Sequence, residues 1–512
     1  MGDPYRGSAS RYVDKLLKAA YDAYDASEDY QGVMVSAMDL QVDVQDHKLP
    51  WNIRAYKELR PDQKLNLEIR KFYEYIRPSP IESVARKHVI EQVCQHVRNY
   101  LPGYVLEVFG SERTGLSFAR SDIDLRLVPE NRYRNSTEAH LPPTPEERFQ
   151  MKGDLRKLHT RLLSRHKDSY LQPTVLWARY PLISMRDRAS GLDIQIVLSN
   201  DTTLSRHFIQ RYQEEYPFIN EVYSVLKATL DVRGLSDVFK GGVGSYPLFM
   251  MLVACLKHRP SACNDAQSAL LGFLAFWGTF KAQKHGISIE PPEFLANTSP
   301  VMSGAAMGNV EKGRTAPSPS WMLKLRDPAD ETNDLGRRIV AWKHIQATFK
   351  YLNRRLHKDL EVNERASLLA TFLRVVYNTD ERTLRKQLSS YGLSLSEAGA
   401  MPDDVYAMSG ETLSADHGEL DDIAQSIKKY RGPIRKVPFQ KGPVADAEAV
   451  SRAYEEAKKQ PAADIEAAME AAKTDDVQGI NTWLKDIEEA SEHKQTGDAF
   501  ANILGLNKKA DK

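Results

Sequence analysis

Asp122 and Asp124, two residues apart in the run SDIDLRLV, could share a divalent cation, and the run GSERTG that begins at Gly110 could grip a phosphate. Side chains at i and i+2 of a strand point to one side, so both carboxylates share a face while Ile123, Leu125 and Leu127 turn to a core. Carboxylates this close repel and raise one pKa unless a cation lies between them. Mg²⁺ is the expected ion, with Mn²⁺ the alternative, because it takes carboxylates together with substrate phosphates. A further strand-like run, GLDIQIVL, sets Asp193 between Leu192 and Ile194, as a third ligand on an adjacent strand would be set. Three converging carboxylates suit a two-metal site that activates a hydroxyl and steadies a leaving pyrophosphate. The chemistry this predicts is nucleotidyl transfer. A D-x-D alone is usually a solvated strand face, and it is the third run and the Gly-Ser turn that set this one apart.

Those side chains need elements to position them. The rough alternation of YVLEVF, from Tyr104 to Phe109, predicts a strand that breaks at Gly110-Ser111. A strand, a turn and a short helix would aim backbone N–H groups and the Ser111 hydroxyl at an anion such as a triphosphate. The loop FKGGVGSYPLF places three glycines before an apolar helix with Ser245 as N-cap, a second start that could hold phosphate. The plainer reading of Gly241, Gly242 and Gly244 is a tight turn between helices.

The chain has 512 residues, enough for two or three domains. Its 70 basic and 69 acidic residues give a formal charge of +1, which excludes a global basic field for nucleic acid. The best local patch is 151–170, with Lys152, Arg156, Lys157, Arg161, Arg165 and Lys167; an ordinary solvated helix face reads slightly better there than an RNA track. Cys94, Cys255 and Cys263 lack disulfide or zinc spacing, as expected in a reducing compartment. The longest apolar run, Tyr246 to Leu256, is too short to span a bilayer, and MGDPYRGSAS lacks a signal core, so a soluble intracellular protein without membrane contact is expected.

The Gly-Ser turn, the S-D-I-D run and the distant carboxylate resemble the DNA polymerase β-like nucleotidyltransferase superfamily. Leu67–Val93, Ser224–Met251 and Arg326–Arg337 resemble, in order, the helical lead-in, the nucleotide-binding segment and the nucleotide recognition motif of the non-canonical poly(A) polymerases of the nuclear, exosome-associated type. The match runs over roughly 51–357 in the family's order. The resemblance implies an α+β fold, a nucleotidyltransferase domain with a mixed sheet plus a helical central, PAP-associated domain. It implies an extension over 1–50, a lead-in over 51–80 packed on the central domain, a catalytic domain over 81–203, the central domain over 204–395 and a charged, partly helical or mobile tail over 396–512. A helical stretch is expected around Tyr12 to Tyr24, and a Ser/Gly/Pro segment from Asn297 to Ser320.

Carried over residue by residue, the resemblance implies catalytic, metal-holding roles for Asp122, Asp124 and Asp193, and nucleotide contacts from Gly110, Ser111, Lys227, Ser245, Tyr246, Asn333 and Arg337. Tyr246 would stack on the base and Lys227 grip the triphosphate. Val197 stands where the family usually has a sugar-holding asparagine, leaving Gln195 or Asn200 to substitute. Asp231 stands where some relatives have a second lysine, whose contact is lost or comes from Lys240. Asn333, before Asp334, Leu335, Gly336 and Arg337, resembles the adenylyl-adding branch rather than the histidine of uridylyl-adding relatives. The implied activity is addition of AMP from ATP to an RNA 3′ end, in the nucleus or alternatively the cytoplasm, with RNA-binding or helicase partner proteins. A terminal uridylyltransferase and an inactive RNA-bound adaptor are the competing readings.

Overall fold

The computed structural model describes residues 32–53, 59–134, 141–177, 180–296, 301–302, 321–399, 425 and 435–436, all within one compact unit, Met1–Pro438. The helix expected near Tyr12, most of the Asn297–Ser320 segment and nearly all of the tail lie outside the described residues.

One core is built on a five-stranded sheet of β1 (Tyr104–Val108), β2 (Ile123–Pro129), β3 (Tyr170–Leu176), β4 (Leu182–Asp187) and β5 (Asp193–Val197), in the order β1-β2-β5-β4-β3. β2 and β5 run parallel and the other pairs antiparallel, so the sheet is mixed, as the α+β expectation requires. Ile123, Leu125, Leu127, Ile194 and Ile196 are fully buried beneath it, with the alternation of a half-exposed sheet. Two 21-residue helices also supply this core, α1 (Pro80–Tyr100) and α2 (Pro145–Arg165). Each starts by the same device, a Ser or Thr cap, a proline at the first position and a glutamate three residues on: Ser79 with Glu82, and Thr144 with Glu147.

α2 carries the basic stretch noted in the sequence. Met151, Leu155, Leu158 and Leu162 bury one face, and Asp154 lies under the helix, accepting from the Tyr104 hydroxyl and from Lys157. Lys152, Arg156, Arg161 and Arg165 are exposed, and the Arg156 guanidinium lies 4.7 Å from the Trp177 ring centroid. Trp177 follows the end of β3 that pairs with Leu182, opposite the end where β4 meets Asp193. The arginine and its ring therefore sit at the far end of the sheet from the aspartates.

A second core is helical. It gathers Pro61–Ile76, α3 (Thr203–Glu215), α4 (Ile219–Asp231), α5 (Ser245–His258), Ala266–Thr279 and Trp342–Val362 around Phe249, Phe273, Trp277 and Trp342. α5 has no solvated side along most of its length, since Leu248 through Leu256 are all buried. Its N-cap is Gly244 and Ser245 is its exposed first residue, one position from the cap the sequence suggests. A final helix, α6 (Thr379–Glu397), returns to pack on α1 and adds Leu388 to the sheet core. All three cysteines are free thiols, and among the described residues no helix is long and apolar enough to cross a membrane.

Candidate active site

Asp122 immediately precedes β2 and Asp124 is its second residue. The parallel register pairs Asp124 with Gln195 and Ile123 with Ile194, and one step earlier Asp122 and Asp193 come close enough to repel. Gln195 donates from Nε2 to Asp122 Oδ2 at 2.7 Å, so the side chain offered as a sugar contact is committed to the first carboxylate. Asn200, the other substitute, donates to the Tyr180 hydroxyl, and Val197 is a buried core residue. Both side chains expected to stand in at the Val197 position are thus engaged within the fold.

Burial, together with the charge of Asp122, pushes Asp124 up to about 7; burial and then Asp193 raise Asp122. Hard oxygen donors crowded in a poorly solvated place have the chemistry a Mg²⁺ or Mn²⁺ ion would neutralise, so Asp122 and Asp124 fit such an ion. The turn before them is built for close approach. Gly110 has φ of +65°, and a Cβ there would come within 2.4 Å of Asp124 Oδ2, so only glycine allows both the backbone and the carboxylate. Ser111 follows on the short Gly110–Thr114 turn of helix, half-buried.

Asp193 opens β5 as expected, but its carboxylate is taken by Arg186 of β4, directly across the ladder. Nε and Nη2 of Arg186 lie 2.7 and 2.9 Å from the two oxygens, a bidentate fork. Among the described residues no three acidic, histidine or cysteine side chains gather around one point. The structure thus brings Asp122 and Asp124 together and leaves Asp193 adjacent but engaged.

Lys227, on α4, lies near enough to Asp122 to favour its charged form, and its ammonium is held by Asp231 one turn on. Asp231, which stands where some relatives have a second lysine, thus holds Lys227. Asp231→Asn is expected to free Lys227 and lower KM for the nucleotide about 1.5- to fivefold with kcat unchanged, since a partly exposed ion pair contributes ~0.2–1 kcal/mol. Steady-state kinetics check this; an unchanged or higher KM would mean that Asp231 positions the lysine. Lys240 lies 3.7 Å from Asp237 in the loop before α5.

Tyr246 and Asn333 meet at Asp327. Buried Asp327 accepts from the Tyr246 hydroxyl at 2.7 Å through Oδ1 and from Asn333 Nδ2 at 2.8 Å through Oδ2. Ala329 N–H adds a third bond to Oδ1. Burial and the neighbouring carboxylate raise the Tyr246 pKa, so the hydroxyl stays protonated as a donor. The signal available in sequence was an acid beside proline in RDPADETND, which a turn explains equally well.

The remainder of the motif is structural. Asp334 accepts from Leu325 and Gly336 N–H groups and starts the Leu335–Arg338 turn. A Cβ on Gly336 would lie 1.9 Å from the Leu323 carbonyl oxygen, which fixes glycine there. Arg337 projects from that turn exposed, as does Asn333 from its hairpin.

Arg86, on α1, was also missed. It is fully buried; it pairs with Glu112 of the Gly110 turn at 2.7 Å and donates to the Ala119 and Ser121 carbonyls at 3.1 and 2.8 Å. One guanidinium thus holds both the Gly110–Thr114 turn and the residue before Asp122. In sequence Arg86 is one cation in a mixed helix, and nothing marks it.

Residues 65–214 match the family model described as the central palm domain of mitochondrial-like poly(A) RNA polymerases. Poly(A) RNA polymerase cid14 of Schizosaccharomyces pombe is 26% identical over 311 residues, 59% of this chain and 41% of that protein. The inactive non-canonical poly(A) RNA polymerase protein Trf4-2 of Drosophila melanogaster is 28% identical over 53% of this chain and 63% of its own. The alignments therefore span less than two thirds of these relatives' lengths. The polymerase core of TRAMP, an RNA surveillance complex, superposes with a TM-score of 0.51 at 21% identity, covering 64% of this chain and 99% of that one, which supports the shared fold. Over these stretches the chain is similar to the non-canonical poly(A) RNA polymerases.

Proposed function

We propose that the protein is an RNA 3′-end nucleotidyltransferase that adds AMP from ATP. The observation that carries the proposal is the pair of crowded carboxylates, Asp122 and Asp124, set against the positive-φ glycine of a Gly-Ser turn. Asp122 and Asp124 would hold Mg²⁺, with Asp193 as a further ligand if Arg186 releases it. When bound, the metal would supply activation of the RNA 3′-hydroxyl and neutralisation of the leaving pyrophosphate. The chain's own residues orient the nucleotide. Tyr246 stacks on the base with its ring fixed through Asp327, Lys227 and Ser245 face the triphosphate with the Gly110-Ser111 turn, and Arg337 adds positive charge beside the base-reading hairpin.

Asn333 is the residue that reads adenine in this proposal. One N–H of its amide is bound to Asp327, which leaves the second N–H and the carbonyl oxygen for a base. A donor and an acceptor together suit the N6 amine and ring nitrogens of an adenine edge. The protein works in the nucleus within this proposal, and partner proteins supply RNA affinity, since the charge is nearly balanced.

The experiment is incubation of purified protein with labelled oligo(A), Mg²⁺ and each nucleotide separately. ATP is expected to be the best substrate. Asn333→His is expected to move the ATP/UTP ratio towards UTP by about tenfold, the scale of one good polar contact. Tyr246→Ala is expected to weaken all four nucleotides together, by the ~1–3 kcal/mol of one stacking contact. A wild type that prefers UTP would sink the adenylyl assignment. A second reading, an inactive adaptor of the same fold, draws on the engagement of Asp193 by Arg186 and of Lys227 by Asp231; no addition of any nucleotide would favour it.

A further inference from the structure

Asp193 lies between two rival claims. β5 runs between β2 and β4, so the carboxylate has Asp122 on one side and Arg186 on the other. Arg186 satisfies both carboxylate oxygens with a fork, the geometry in which an arginine–carboxylate pair is strongest. A cation shared with Asp122 would have to take at least one of those oxygens. It would also meet a fixed positive charge at contact distance.

The pair can open. Its side chains are 40% and 38% exposed, so water can replace the fork as it parts. A second acid lies near: burial raises the Glu381 carboxyl on α6, and the charges of Arg120 and Arg186 act on it in the opposite direction. Arg120 in turn donates from Nη1 to the Gly191 carbonyl at 2.9 Å, two residues before Asp193, so this acid and these guanidiniums converge on the start of β5. Glu381 is anchored through its backbone by Asn378, which accepts its N–H at 2.9 Å.

We propose that Arg186 is a latch on the third carboxylate: it competes with a divalent cation for Asp193, and the aspartate cluster takes a second ion only as Arg186 passes to Glu381. The proposal rests on the reading of Asp122, Asp124 and Asp193 as metal ligands. With the latch closed, one of three neighbouring negative charges is already neutralised, so the cluster is held together without metal. With it open, the cluster has the charge for a second cation, such as one that arrives with a nucleotide's phosphates.

The test is Mn²⁺ binding to the full chain without nucleotide, followed by isothermal titration and by the electron spin resonance of free Mn²⁺. Wild type is expected to bind one ion well and a second weakly. Arg186→Met is expected to tighten the second ion on the order of tenfold or more, because a unit positive charge a few ångströms from a divalent ion is removed. The gain is expected to vanish in Arg186→Met/Asp193→Asn, and Glu381→Gln is expected to weaken the second ion by removing the landing place. Arg186→Lys, which keeps the charge without the fork, is expected to fall between wild type and Arg186→Met, and thermal melting shows that each variant is folded.

Equal second-ion affinity in wild type and Arg186→Met overturns the latch, as does a gain that persists without the Asp193 carboxylate. In both cases the metal reading survives, since the first ion still binds. Absence of Mn²⁺ binding in every variant overturns the latch and the metal reading together.

Discussion

Asp124→Ala is expected to reduce nucleotide addition at least roughly a thousandfold, equivalent to about 4 kcal/mol of lost transition-state stabilisation, and Asp122→Ala to do the same. The fold is expected to tolerate both. Asp124 projects from the strand face opposite Ile123 and Leu125, and no part of the apolar core is removed. Metal-free stability is expected to move the other way from activity. A carboxyl raised from 3.8 in the unfolded chain to about 7 in the folded one is bound to its proton more tightly when folded. Its stabilising contribution is complete below the unfolded value and is lost as pH rises through about 4 to 7. Above pH 7 in EDTA the wild type carries that full electrostatic burden, and Asp124→Asn is expected to melt several degrees higher. Added Mg²⁺ is expected to raise the wild-type melting temperature and leave Asp124→Asn nearly unmoved. Near wild-type tailing in the Asp122→Ala/Asp124→Ala double variant would end the metal assignment.

Arg86→Met is expected to destabilise the protein by about 3–5 kcal/mol, because it removes the cation that pairs with the buried Glu112 carboxylate and strips two carbonyls of a donor. Arg86→Met/Glu112→Leu is expected to recover most of that stability, since an apolar pair of similar volume can replace a buried ion pair. Activity is not expected to return with it. The Ala119–Ser121 segment would still lack its anchor, and Asp122 and Asp124 would lose the positive charge that offsets their burial. Urea unfolding with the tailing assay separates the two effects. Arg86→Met unfolding within 1 kcal/mol of wild type would show that water replaces the guanidinium.

The sequence was legible where one residue type answers one local requirement. Alternating Ile and Leu around Asp122, Asp124 and Asp193 marked two strands, and the Gly-Ser break marked the turn between β1 and β2. Ser79-Pro80 with Glu82, and Thr144-Pro145 with Glu147, carry helix starts in four-residue windows. What could not be read were commitments made across the fold. Arg186 to Asp193 is a cross-strand pair whose meaning depends on register, and Arg86 to Glu112 joins a helix to a turn. Asp327 is joined to Tyr246 across 81 positions. Each of these is a charge whose partner lies far along the chain or across a ladder, and local spacing carries no record of it.

Asp327 restricts how base preference can change. Because one carboxylate accepts from both the Tyr246 hydroxyl and the Asn333 amide, the side chains proposed to stack on the base and to read it are coupled, and a donor at 333 preserves that coupling. Histidine meets that condition, with one ring N–H for the carboxylate and another nitrogen for the base. Leucine or valine does not, and would remove one of the bonds that hold the carboxylate facing the Tyr246 hydroxyl. Substitutions at 333 that alter selectivity alone therefore form a short series of donor-bearing side chains, and a drift in specificity at this position has to move within that series or sacrifice affinity for every nucleotide.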